Sequence, residues 1–163
     1  MQGTTIDEVI SSLDAIIDWA YTHNSRLGYF ACLYRRVTIE VKAGIAEGFF
    51  QDGRRMEALD VTFANRYLAA VDQHWSGERP TTAWQFAFDT ARTWRPVVLQ
   101  HILLGMNAHI NLDLGIAASQ TVPPAQIEIL HADFLRINQI LGAMVDDTRR
   151  KLNRVWPAVN PLS

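Results

Sequence analysis

Residues 97–119 read VVLQHILLGMNAHINLDLGIAAS. The stretch is almost wholly apolar, yet Gln100, His101, Asn107, His109, Asn111 and Asp113 punctuate it. Pro96 precedes it and Pro123-Pro124 follow, so it reads as one long helix that starts and stops at proline. A helix turns about 100° per residue, so with His101 at zero, Gly105, His109 and Asp113 fall at about 40°, 80° and 120°. Gln100, Asn107 and Asn111 gather at about 260°, 240° and 280°. An ordinary surface helix has one polar face. Two narrow polar stripes predict a central helix, enclosed on most sides, that reaches polar partners on different neighbours.

Burying such groups without partners costs about 1–3 kcal/mol each. Each must therefore be hydrogen-bonded, paired, metal-bound or turned to a wet cavity. His109 and Asp113 are four apart and share a face. That spacing suits a chelate for a divalent metal such as zinc, or a carboxylate that orients an imidazole. His101 lies about 12 Å along the axis from His109, too far to ligate the same ion from one straight helix. A pocket running along the helix would still be lined by both. The plainer account is a satisfied polar network that fixes helix register.

Outward from this stretch the chain reads as helices. Ile6, Val9, Ile10, Leu13, Ile16, Ile17 and Ala20 repeat at three-and-four spacing behind the N-cap candidates Thr4 and Thr5. Tyr29 to Ala46 is a second helix, although Val37 to Val41 is β-branched, because no other strand exists to pair with it. Within it Tyr34 and Arg36 are candidate site residues, Arg36 as a fork for carboxylate or phosphate. Arg54 to Trp75 is a third helix capped by Asp52; Asp60 is the member best placed to face the central helix, although a surface carboxylate is the simpler reading, and Asn65 and Arg66 sit elsewhere. Thr81-Thr82 opens a shorter helix to about Thr93. Gln126 to Trp156 is the last long helix, and Pro157 to Ser163 an irregular tail.

The fold class is therefore all-α: a single domain over residues 1–163, a bundle of about six helices around a central apolar helix. A net charge of −2 argues against nucleic acid as a partner. The polar groups of residues 97–119 argue against a membrane span despite its length, and the first dozen residues lack the apolar run of a secretory signal. These features together predict a cytoplasmic protein. The single cysteine, Cys32, sits in an apolar run and reads as a buried small hydrophobe.

The blocks YRRVT (Tyr34 to Thr38), FQDGRRMEALDVTFANRYL (Phe50 to Leu68) and LQHILLGMNAHINLDLGIA (Leu99 to Ala117) resemble the bacterial family catalogued as domain of unknown function 5995. The resemblance covers most of the chain and implies a helical fold with no assigned activity. It groups the three blocks as one core or site and adds no chemistry. A looser likeness is the HxxxD spacing of helical zinc phosphodiesterases, His109 to Asp113 here, without the further ligand helices of those enzymes.

Two functions follow from the residues. One is an enzyme, hydrolase-like, acting on a small molecule in a buried polar pocket. His109 is then metal ligand or general base, Asp113 second ligand or orienter, and His101, Asn107, Asp60, Arg36 and Tyr34 complete the pocket. A metal would need a further ligand from another helix. The other is a non-catalytic small-ligand-binding or interaction module. Trp75, Trp84, Trp94 and phenylalanines then line an apolar cavity, and the polar residues orient a ligand or are structural.

Overall fold

The computed structural model describes residues 1–93 and 95–155, with residues 148, 149 and 151–155 as backbone only. The elements are α1 (Ile6–Thr22), α2 (Gly28–Ala46), α3 (Gly53–Ser76), α4 (Thr82–Ala91), α5 (Val98–Ala108), a π-turn (His109–Asp113), α6 (Leu114–Thr121), a 3-10 segment (Pro124–Leu130) and α7 (His131–Val155). The stretch α5, π-turn and α6 runs without a break. Counted as one rod, it makes six helices, with no strand among the described residues. The all-α class is as the sequence predicts, and Val37 to Val41 is helical. Trp94, Trp156 and the tail from Pro157 to Ser163 lie outside the described residues.

The local causes are visible at the helix ends. The Thr5 hydroxyl accepts from the Glu8 N–H, and the Asp52 carboxylate accepts from the Arg55 N–H, so each satisfies an otherwise orphaned donor. At its far end α3 stops at Gly77, whose φ of 80° is left-handed. One core cluster joins α1, α2, α3 and α4 through residues such as Leu13, Ala31, Leu68 and Trp84. A second joins Val41, Met56, Leu59, Ala117 and Leu130, and so ties α2 and α3 to the far end of the rod. The buried carboxylate of Asp133 fastens α7 to this frame. It accepts from the Gln51 N–H at 2.7 Å, Arg55 at 2.9 Å and Arg136 at 2.9 Å.

The rod packs on α2, α3 and α4, but by one face. His101, Gly105, Ala108, His109, Asp113 and Ala117 are buried, whereas Leu99 and Leu103 are 61% and 51% exposed and Ile110 and Leu112 also face out. The drifting first stripe is thus the inner face. The second stripe is an outer one. There the Gln100 side chain accepts from the Val97 N–H at the helix start, and Asn111 donates to Asn107 at 2.6 Å. Cys32 also departs from expectation. It is exposed, because Ala31 and Tyr34 take the inward positions of its turn.

Gly105 lets the rod approach α2 closely. A Cβ there would stand 2.5 Å from Cγ and 2.9 Å from Cβ of Phe30, atoms at the root of the ring that cannot swing aside. Overpacking of this kind costs about 1–3 kcal/mol, more than the gain of up to about 1 kcal/mol when alanine replaces glycine in a helix. Gly105→Ala is therefore expected to lower the urea midpoint, and Gly105→Val to lower it further. An Ala variant more stable than the parent would refute this contact.

Candidate functional site

Three elements build the site. On α3, Asp60, Phe63 and Tyr67 follow three-and-four spacing, so they lie on one face, with Arg66 beside them. On α2, Tyr34 and Phe30 are one turn apart and their rings stack at 5.7 Å. On the rod, the π-turn carries His109 at its start and Asp113 at its end. Hydrogen bonding to the fifth residue, here Leu114 N–H to the His109 carbonyl, widens the turn and offsets the drift of the inner stripe.

His109 is buried among rings. Phe63 stacks on it with centroids 3.5 Å apart and planes 7° from parallel, and Tyr34 meets it edge-on at 4.5 Å. Its Nδ1 lies 3.5 Å from Asp113 Oδ2, a long contact, and neither ring nitrogen has a hydrogen bond of ordinary length. Burial lowers the His109 pKa below its usual value, against the opposing pull of Asp113, so the ring is neutral at pH 7. Asp113 is differently placed. Arg66 Nε donates to Oδ1 at 3.1 Å, and the Trp84 indole N–H donates to Oδ2 at 2.7 Å. Burial alone would raise its carboxyl, but the contacts with His109, Trp84 and Arg66 together hold it below the usual range, and it is ionised.

A cavity of about 220 Å³ opens between α2, α3, the rod and α7. Leu33, Val37, Leu59, Met106, Leu114 and Ile137 are typical of its apolar wall. Tyr34, Asp60 and His109 also line it. The Tyr34 hydroxyl and Asp60 Oδ2 are buried with no hydrogen-bond partner among the described residues. Burial, with a smaller push from Glu57, raises the Asp60 carboxyl from 3.8 to about 7. Burial likewise drives the Tyr34 phenol well above its ordinary value, with Asp60 adding to the effect.

Of the residues singled out from the sequence, Tyr34, Asp60 and His109 therefore meet at one cavity, with Asp113 standing behind His109. The others are elsewhere. His101 lies across Phe30, in a separate crevice of about 20 Å³ that it shares with Tyr67 and Trp84, the size for a single water. Among the described residues Phe30 packs on Gly105 between the two histidines, and the cavity beside His109 and the crevice beside His101 are distinct. Arg36 pairs with Asp147 at 2.8 Å and does not line the cavity. Asn107 is exposed on the outer face. Trp75 is exposed against Trp19, and Trp84 is a core residue that serves Asp113. Sequence reasoning missed Arg66, Phe63 and Trp84 as the groups that hold the pair. A buried indole N–H needs an acceptor, and that requirement was the available signal for Trp84.

Among the described residues no three His, Cys, Asp or Glu side chains are grouped to hold a metal ion. Both Asp113 oxygens already accept hydrogen bonds, one of them from a cation, so the proposed second ligand is engaged. Among the described residues no helix is long and apolar enough to cross a membrane.

A family model matches residues 6–163, nearly the whole chain. The chain belongs to the family of unknown function DUF5995. The resemblance carried by the three sequence blocks is thus established. In this DUF5995 member the blocks supply Tyr34, then Asp60 with Phe63 and Arg66, then His109 with Asp113. No curated protein and no solved structure matches the chain.

Proposed function

We propose that the protein binds a small, mainly apolar molecule in the cavity between α2, α3, the rod and α7, with Asp60, Tyr34 and His109 at its polar end. One contrast supports the reading. Asp113 and Asp133, which are also buried, have both oxygens engaged by donors. Asp60, Tyr34 and His109 leave polar atoms unpartnered, and these three line a cavity. A carboxylate that only fixed helix register would have its oxygens engaged, as those of Asp113 and Asp133 are. An engineered apolar cavity of about 150 Å³ accommodates benzene, so 220 Å³ suits a single ring with a short substituent, or a short chain. A calorimetric titration with benzyl alcohol tests the reading. Heat of binding is expected for the parent and its loss for Leu114→Phe, which fills the cavity. Equal binding by the two proteins, or none by the parent, would overturn it.

A second reading, acid–base catalysis of a hydrolase-like kind on the bound molecule, is favoured by one observation. His109 sits beside a carboxylate anchored by Arg66 and Trp84, and Asp60, which titrates near neutrality, lines the same cavity. His109 would serve as base, Asp113 as its orienter and Asp60 as acid. A zinc-dependent version would need a ligand beyond those grouped here. His109→Gln separates catalysis from binding: turnover of a given substrate is lost while its affinity persists. Turnover retained at the parent rate would discard the base assignment.

A further inference from the structure

The charges that line the cavity are one-sided. Asp60 supplies a carboxylate, and among the described residues no lysine or arginine contributes to the wall. The Arg66 guanidinium, on the same helix as Asp60, is committed to Asp113. The unpartnered groups at the polar end can all accept a hydrogen bond, although the Tyr34 hydroxyl and one His109 nitrogen can also donate. An ionised carboxylate only accepts, a phenol oxygen accepts, and a neutral imidazole has one accepting nitrogen. Asp60 Oδ2, Tyr34 Oη and the His109 ring therefore offer three acceptors within one cavity, and the Tyr34 and His109 rings are 4.5 Å apart. Phe30, Tyr34 and Phe63 add aromatic surface to the same wall.

Resting on the reading that the cavity takes a ligand, we infer that its ligand class is a compact apolar amine, bound as the ammonium. An ammonium is donor-only, with three N–H groups and no acceptor. It supplies the counter-charge that a buried carboxylate needs, and aromatic rings attract it through their quadrupoles. An alcohol of the same shape gives one donor and no charge. A carboxylate meets Asp60 as a like charge and finds no cation among the described residues of the wall.

Benzylamine, benzyl alcohol and benzoate, titrated calorimetrically into the full chain at pH 8, separate these cases. Benzylamine is expected to bind at least about tenfold more tightly than benzyl alcohol, with benzoate the weakest. Asp60→Asn should remove the preference for the amine over the alcohol. Benzyl alcohol binding as tightly as benzylamine, or an amine preference that survives Asp60→Asn, overturns the inference and leaves the cavity reading standing. No binding by any of the three overturns both. Should the Asn variant fail to fold, the three affinities of the parent decide alone.

Discussion

Asp113→Ala destabilises the protein by about 3–5 kcal/mol at pH 7, the range for removing one member of a buried ion pair. The substitution strands two donors. The Trp84 indole N–H is fully enclosed, and an unsatisfied buried donor costs about 1–3 kcal/mol by itself. The Arg66 side chain is 31% exposed and can turn part of its charge to solvent, which places the loss nearer the lower end of that range. Asp113→Asn keeps an acceptor for Trp84 and loses the charge, so it is expected to fall between Ala and the parent. Urea denaturation followed by tryptophan fluorescence measures all three. The pH dependence has a definite sign. The Asp113 pKa is depressed in the native state, so its contribution is complete above the ordinary carboxylate range and disappears as pH falls through the native value. An Ala variant within about 1 kcal/mol of the parent at pH 7 would mean that this network does not hold the rod to α3 and α4.

The same residues show where the sequence was legible. Helices α1 and α3 announce themselves, because Val9, Leu13 and Ile16, or Met56, Leu59 and Tyr67, mark a face against polar neighbours, and Thr5 and Asp52 mark the starts. The rod is legible as a helix but not in phase. Leucine, isoleucine and valine surround it, so periodicity alone does not say that Leu99 and Leu103 face out while Ala108 and Ala117 face in. Small residues turn inward because α2 and α3 come close, and a single chain in isolation carries no record of that distance. The π-turn adds a further shift that a uniform 100° rotation does not contain. Pairing was the least legible property. Arg66 lies 47 positions from Asp113, and nothing local to α3 distinguishes it from a solvated arginine. Asp60 shows the converse. From sequence the simpler assignment is a surface carboxylate, and only the arrival of α2, the rod and α7 makes its position buried.

That burial makes Asp60 the site of the other large effect, and here the direction is reversed: Asp60→Asn is expected to stabilise the protein at pH 8. The native carboxyl titrates at about 7 against an ordinary 3.8, chiefly because burial disfavours its charged form and secondarily because Glu57 is near. Between those two values the native state binds the proton more firmly than the unfolded chain. Native stability therefore falls as pH rises across this window and levels off above about 7. The full shift corresponds to roughly 4 kcal/mol, a penalty that the uncharged amide does not carry. The difference between variant and parent should be near zero below pH 4, grow through pH 5 and 6, and be greatest at pH 8. Thermal unfolding at a series of pH values reads this directly. Saturating benzylamine would flatten the slope of the parent, since the ammonium stabilises the ionised form that burial penalises. It should leave the Asn variant largely unmoved. A variant less stable than the parent at pH 8 would show that Asp60 already has its counter-charge within the fold, and the ligand would no longer be needed to supply one.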